Sequence, residues 1–397
     1  MTERSALETA AAIRAGETTA LLETEAALAE IEARDGPLNA VVVRDFARAR
    51  HAAAELDQRI KEGFDAPLLG VPMTVKESYD LAGLKTTWGF TEHRDFTAKR
   101  DAVLVQRLKN AGAIVLGKTN VPVGLADVQS NNPIYGRTHN PHDHGRSAGG
   151  SSGGSGVALA SGMVPLEIGS DIGGSIRTPA AFDGVWGLKP TFGLLSTTGH
   201  HFPGTDGARV ALSVCGPMAR NADDLAAALD ILADHPVGPA APRQPDEWRI
   251  LILADHPETS ISAEMRAALE KVGAAFAAAG ATVDRESDLL PDLSAQHRHY
   301  MHMLNIAMTR GAPDPVRGTP TLAEWFDLAD HQARNIRQWH ELFGRYDAVI
   351  APIFGTTAFP HDDTPLTERR LEIDGRDTSF ATQFAWAGLA TFANLQI

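Results

Sequence analysis

Two glycine-serine clusters flanking an apolar stretch constrain this chain more than any other feature. Gly149-Gly150-Ser151-Ser152-Gly153-Gly154 comes first, the apolar run VALASGMVPLEI follows, and Gly169-Ser170-Asp171-Ile172-Gly173-Gly174-Ser175-Ile176-Arg177 closes the region. A flexible linker would continue in low complexity and would lack the apolar run. The run instead reads as a helix followed by a strand, so both clusters are turns at the ends of buried elements. Such turns let backbone N–H groups converge without Cβ obstruction. Acyl transfer needs converging donors of that kind to hold a developing oxyanion. On this reading Ser175 is the candidate nucleophile, and the amides of Ile172, Gly173, Gly174 and Ser175 are the candidate donors. A serine hydroxyl needs a base to take its proton, and no histidine lies in either cluster. On the second cluster alone, two purely structural turns remain an equal reading.

Lys76 offers a base of another kind. It ends the apolar strand of GVPMTVKESYD. An ordinary lysine is protonated at neutral pH, whereas one desolvated at the end of a buried strand loses its preference for the charged form. For a lysine beside a strand taken by itself, a solvated end or a salt bridge is the commoner outcome.

The surrounding chain reads as α/β. Residues 1–62 read as helices, with Thr18 or Thr19 capping the second and Asp35-Gly36-Pro37 stopping it. From 65 to 240, strands such as PLLGVPMTV and AIVLG alternate with Gly-rich turns and helical pieces, including an amphipathic Asp101–Ala111. That alternation predicts helices layered on a buried, largely parallel sheet. A Pro-rich linker, Pro236 to Pro245, precedes a β-α-β unit made of RILILAD, AEMRAALEKVGAAFAAAG and ATVDRES. Residues 291–345 return to helices, and YDAVIAP reads as a strand. Trp88, Trp186, Trp325 and Trp386 are core candidates.

Charge and cysteine content exclude several classes. A net charge of −14 argues against nucleic acid and against anionic membranes, because both call for a basic surface. Cys215 stands alone, so no internal disulfide forms. The start lacks the apolar core of a signal peptide, and no apolar run reaches the roughly 20 residues that span a bilayer. A cytoplasmic protein is the expectation. Gly112 to Thr119 matches the phosphate-loop pattern GxxxxGK(S/T), but its middle residues, AIVL, are themselves the strand, so the amides cannot cradle a phosphate. Histidines cluster at His139, His142 and His144, at His200 and His201, and at His297, His299 and His302 without zinc-ligand spacing, so we expect no metal. His200-His201-Phe202-Pro203 is a candidate lining of a substrate cleft.

The combination resembles the amidase signature family. The resemblance rests on GVPMTVKE, GKTNVP, NNPIYGRTHNP, GGSSGG, GSDIGGSIRTPA, GVWGLKPTFG and GPMARNADD, in this order. It is strong over about residues 65–235, weak in 1–64 and 241–345, and resumes around YDAVIAP and FAWAGLATFANL. It implies that Ser175 attacks, that Ser151, preceded by a cis peptide bond from Gly150, passes the proton on, and that Lys76 receives it. It also implies a supporting network of Ser152, Asp171, Arg177 and Gly150, and places Leu125 and Gln129 on the acyl side of the cleft. Ala148 and Val123-Gly124 depart from the family pattern at positions that bear on local shape and substrate fit.

The implied fold is a large twisted mixed sheet covered by helices. It is divided into an N-terminal helical cover (1–64), the signature core (65–240), a variable substrate-side insertion (241–345) and a return to the core sheet (346–397), all in one compact unit. Family members usually continue several dozen residues past the point matching ANLQI, so a truncated C-terminus is expected. The implied activity is hydrolysis of a small-molecule carboxylic amide without cofactor or metal, by a monomer or homodimer. Carbamates (urethanes), anilides and esters present the same carbonyl. The alternatives are an amidotransferase A-type glutaminase subunit and a non-catalytic scaffold.

Overall fold

Ser5 opens the first helix, α1 (Ala6–Arg14), with a reciprocal cap. Its hydroxyl accepts the Glu8 amide at 3.1 Å while the Glu8 carboxylate accepts the Ser5 amide at 2.7 Å. Thr19 then caps α2 (Ala20–Leu38) through the Leu22 amide. This helix does not stop at Asp35-Gly36-Pro37 as the sequence suggested. It runs through them to Asn39, which ends it in the left-handed conformation at φ 55°. Pro37 falls in the last turn, so the bond its amide would have made to the Ala33 carbonyl is absent. The buried Asp35 carboxylate meanwhile holds the chain beyond the helix, accepting the Ala40 and Val41 amides at 2.6 and 3.2 Å and pairing with Arg44 at 2.9 Å. The held segment is a strand, β1 (Val41–Arg44), where the sequence had suggested only helix.

In the computed structural model, residues 4–238, 242–315 and 317–397 are described, so the expected 236–245 linker lies partly outside the described residues. They fall into two compact units, where the sequence reading had one. The first takes residues from 1–171, 175–209 and 213–237. In it α3 (Phe46–Lys61), β2 (Pro72–Lys76), α4 (Val103–Asn110) and β3 (Ile114–Thr119) follow β1. After the small hairpin β4 (Asn131–Asn132) and β5 (Gly136–Arg137) come α5 (Gly153–Ala160), β6 (Leu166–Asp171), α6 (Arg177–Asp183), β7 (Trp186–Gly187), β8 (Val214–Ala219) and α7 (Ala222–Leu232). Six strands form one sheet in the order β1-β3-β2-β6-β8-β7.

Every residue of β2, β3, β6 and β8 is buried, as expected of strands covered on both faces. The sheet is mixed, and less parallel than expected. Only the β2–β3 and β2–β6 pairings are parallel, while β1–β3, β6–β8 and β7–β8 are antiparallel. Strand–helix alternation in a sequence signals crossovers, but the direction of pairing depends on which end of the sheet the chain re-enters.

The second unit, drawn from 172–174, 210–212 and 238–397, contains the expected β-α-β. It is β9 (Arg249–Ile252), α8 (Ala263–Ala278) and β10 (Thr282–Asp284), with β10 parallel to β9. Helices α9 (Leu293–Thr309) and α10 (Leu322–Phe343) lead to β11 (Ala348–Ile350). This strand was expected to rejoin the main sheet. It pairs instead with β9, Val349 opposite Leu251, because the free edge of β9 accepts a parallel strand after a helical crossover. The hairpin β12 (Arg370–Ile373) and β13 (Arg376–Ser379) and the helix α11 (Phe384–Phe392) complete the unit. Of the four tryptophans marked for the core, Trp88 and Trp386 are buried, Trp325 is half-buried and Trp186 is 55% exposed. Trp339 takes a core place the sequence reading did not assign. Among the described residues no helix is long and apolar enough to cross a membrane.

Asp35→Ala should cost about 2–3 kcal/mol, because two buried amides and Arg44 lose their acceptor together. Urea unfolding of the variant against the parent measures it, and an unchanged midpoint would contradict the role given to Asp35.

Candidate active site

The β2 strand ends on Lys76, fully buried. Its Nζ lies 2.6 Å from Ser151 Oγ, 2.9 Å from Ser170 Oγ and 3.4 Å from the Ser170 carbonyl. These neighbours are neutral oxygens, and among the described residues no carboxylate is hydrogen-bonded to the amine. Burial therefore dominates and pulls Lys76 down to about 7, against the opposing charges of Asp171, Cys215 and Glu167. A lysine so placed is neutral over much of the pH range in which an ordinary one is charged.

Ser151 sits at the turn into α5, and the Gly150–Ser151 peptide is cis. Backbone approach fixes this turn. A side chain on Gly150 would collide with the Asp127 carbonyl and the Gln129 amide, and Gly149 holds φ 76° against Pro179. The neighbouring segment is laced to it. Ser130 Oγ accepts the Gly153 amide at 3.0 Å and donates to the Gly149 carbonyl at 3.3 Å, while Ser147 Oγ donates to the Val128 carbonyl at 2.8 Å.

Ser152 joins the two glycine-serine clusters. Its amide donates to the Ser175 carbonyl at 3.1 Å, and its hydroxyl both donates to the Ser170 carbonyl and accepts the Ser170 amide at 3.4 Å. Ser175, 7% exposed, stands between β6 and α6 at the end of the link Ile172-Gly173-Gly174. Gly174 has φ 97°, a conformation that excludes most side chains. Asp171 and Arg177 close this link at its base with a buried two-point pair at 3.0 and 2.9 Å, and Asp171 also accepts the Ile176 amide at 3.1 Å. Burial would raise the Asp171 carboxyl, but the Arg177 guanidinium beside it holds it far below the usual carboxylate range.

The structure thus brings Lys76, Ser151, Ser152, Asp171, Arg177 and Ser175 into one neighbourhood of the first unit. Gln129 joins them through its amide beside Gly150, whereas Leu125 stays in its own turn, half-buried, its amide donating to the Pro122 carbonyl at 3.1 Å. His200 is buried, its ring packed 4.7 Å from that of Tyr79 and 5.1 Å from that of Trp88. Burial and the nearby Lys76 push it down to about 3, so it stays neutral. Ser170 was not singled out from sequence, though it lies inside GSDIGGS. Its signal was its place on a strand next to that of Lys76, and strand adjacency is not written in the sequence.

Lys118, the lysine of the phosphate-loop match, lies buried within β3. It donates to the Lys85 carbonyl and, at 2.9 Å, to Thr86 Oγ1, so it is not free to meet a phosphate. Among the described residues no group of three or more His, Cys, Asp or Glu is placed to hold a metal ion.

Arg177→Met should destabilise the chain by about 3–5 kcal/mol by stranding the Asp171 charge, and Arg177→Met with Asp171→Asn should recover part of the loss. Thermal melts of the single and double variants test this, and additive losses would contradict it.

The Amidase family model matches residues 23–313. Among similar curated proteins, 1-carboxybiuret hydrolase subunit AtzE of Pseudomonas sp. (strain ADP) is 47% identical over 222 residues, 55% of this chain and 48% of that protein. Indoleacetamide hydrolase of Bradyrhizobium diazoefficiens is 31% identical over 407 residues, 93% of this chain and 76% of that protein. A solved amidase structure superposes with a TM-score of 0.83 at 25% identity, covering 99% of this chain and 91% of that one. The chain spans about half the length of most of the curated relatives it matches. By family match and by its mixed sheet under helices, the chain belongs to the Amidase family.

Proposed function

We propose that this protein hydrolyses carboxylic amides through a serine acyl-enzyme, with Ser175 as nucleophile, Ser151 as proton carrier and Lys76 as base. The observation that carries the reading is a fully buried lysine, brought down to about 7, with its amine 2.6 Å from the Ser151 hydroxyl. A charged lysine in that place would have no lone pair with which to accept a proton, whereas a neutral amine does the work usually given to histidine.

Ser175 Oγ bonds to the carbonyl carbon while its proton passes to Ser151 and the Ser151 proton passes to the Lys76 amine. The carbonyl oxygen becomes an oxyanion, for which the consecutive amides of Ile172, Gly173, Gly174 and Ser175 are the proposed donors. As the carbonyl re-forms, the C–N bond breaks and the proton held by Lys76 returns through Ser151 to the leaving nitrogen. Water then repeats the sequence on the acyl-enzyme, and the carboxylic acid leaves. Ser152, Asp171, Arg177 and Gly150 hold the two turns in register. Leu125 and Gln129 are proposed to meet the acyl part of the substrate. Relatives named for 1-carboxybiuret and for indoleacetamide agree with an amide carbonyl as the reacting centre. Carbamates, anilides and esters present the same carbon to Ser175.

A second reading, an amidotransferase A-type glutaminase subunit, is favoured by one observation: a 47% identical relative is itself named as a subunit. Glutamine hydrolysis that depends on a partner chain would select it over the first.

Intact-mass analysis after incubation with a fluorophosphonate should give one adduct on the parent chain and none on Ser175→Ala. No adduct on a folded parent would sink the serine mechanism. Lys76→Ala and Ser175→Ala should each remove at least about a thousandfold of kcat/KM. The losses should not add in the double variant, because the groups act as a unit. With Lys76 required neutral, kcat/KM for an anilide should fall about tenfold per pH unit below about 7. A flat acid side, with chemistry rate-limiting, would exclude Lys76 as the base.

A further inference from the structure

The sheet face that carries Lys76 holds a second buried ionisable group for which the acyl-transfer scheme has no use. Glu167 lies on β6 and is 1% exposed. Its Oε2 accepts the adjacent Ile168 amide at 2.9 Å, and among the described residues its Oε1 has no hydrogen-bond partner. Asp171, four residues further on the same strand, is matched by Arg177 on both oxygens. A buried carboxylate without such a match is costly, so Glu167 either takes up a proton or leans on a positive charge nearby.

The strand geometry says which charge. A side-chain carbon on Gly169 would sit 2.8 Å from Ser152 Oγ, so position 169 faces the start of α5. Alternation along a strand puts Glu167 and Asp171 on that same face. Lys76 comes to the end of this face from β2, its amine against Ser151, next to Ser152, and also against Ser170 Oγ, which belongs to the other face. The β2–β6 register pairs Met73 with Leu166, which brings Thr74 level with Glu167 and Lys76 one alternation step beyond. Between the carboxyl and the lysine end of the face, β6 contributes only Gly169, which has no side chain to screen one group from the other.

Beyond the Asp171–Arg177 pair, whose carboxylate also favours the ammonium form of Lys76, the surroundings are mostly hydroxyls. Thr74 Oγ1 is buried without a partner, and the Thr119 and Ser155 hydroxyls bond each other at 2.9 Å. Helix α5 brings no ionisable residue, β8 brings Cys215, and Tyr79 donates its hydroxyl to the Gly169 carbonyl at 2.6 Å. From β3 comes Lys118, whose amine is spent on Lys85 and Thr86. Burial raises Glu167 to about 7, opposed by the Thr74, Thr119 and Ser155 hydroxyls, and a charged Glu167 in turn favours the ammonium form of Lys76.

We propose that Glu167 is a positioning residue for the Lys76 base, its carboxyl and the lysine amine facing one another across the gap at Gly169 and competing for a single proton. With the carboxyl ionised, the ammonium form of Lys76 is held. With the proton on the carboxyl, the amine is free to accept one from Ser151. The inference rests on Lys76 being the base and adds a group that biases the charge of that base.

The test is the pH dependence of fluorophosphonate labelling at Ser175, measured on the full chain for the parent, Glu167→Gln, Glu167→Asp and Ser155→Ala. Glu167→Gln removes the charge that favours the ammonium form, so its acid limb should move about 1 pH unit lower. Its labelling rate, relative to its own plateau, should then exceed the parent's several-fold on the acid side. Glu167→Asp keeps the charge and should move the limb back toward the parent. A Glu167→Gln limb that superimposes on the parent's overturns the inference while leaving Lys76 as base. A parent profile with no acid limb overturns both. Should Glu167→Gln fail to fold, Ser155→Ala decides. It removes one of the nearby hydroxyls that oppose the rise of Glu167, and a limb shifted lower supports the proposal whereas an unmoved one overturns it.

Discussion

A lysine buried without a carboxylate in hydrogen-bond contact is the constraint around which the first unit is arranged. Taking an ammonium group out of water is expensive, and the usual compensation is a close opposite charge. Lys76 has hydroxyls and a carbonyl instead. The outcome is a neutral amine rather than an ion pair, and that outcome requires close packing on every side. Continuous burial along β2, the parallel neighbours β3 and β6 and the glycine-rich start of α5 together keep water from the amine.

The same packing explains where glycine is needed. Gly150 passes so close to the Asp127 carbonyl and the Gln129 amide that no side chain fits, and Gly154 meets the Asn120 backbone in the same way. These contacts let α5 start directly above the sheet, which brings Ser151 to the lysine. Gly174 answers a different need, a left-handed turn between β6 and α6. Asp171 and Arg177 then fix both ends of that turn. In this pair burial and charge act in opposite directions, and the guanidinium wins by holding both carboxylate oxygens. The two buried acids of β6 therefore differ in kind. One is held ionised by its partner, and the other, Glu167, is left to titrate.

Much of the site was legible because its chemistry depends on short contiguous segments. Ser151, Ser152, Asp171, Ser175 and Arg177 all lie in or at the ends of two turns whose composition excludes a linker, and Lys76 closes a strand whose apolar run is plain to read. The β-α-β unit of the second half was legible for the same reason, since each of its elements is a run with its own period. What the sequence misjudged were features set by partners far along the chain. The helix passing through Pro37 depends on Asp35 catching amides beyond it. The sheet is mixed because β8 and β1 enter opposite to their neighbours. β11 joins β9 because that edge is open to it.

The sequence by itself determined the family, the α/β class and the residues available for acyl transfer, because these follow from local composition and from motifs in fixed order. Only the tertiary structure decided which hydroxyls meet the Lys76 amine, why that amine favours the neutral form, and that Glu167 is buried on the neighbouring strand. Those facts depend on which strands lie side by side and on how completely water is excluded between them. Neither is a property of any single segment.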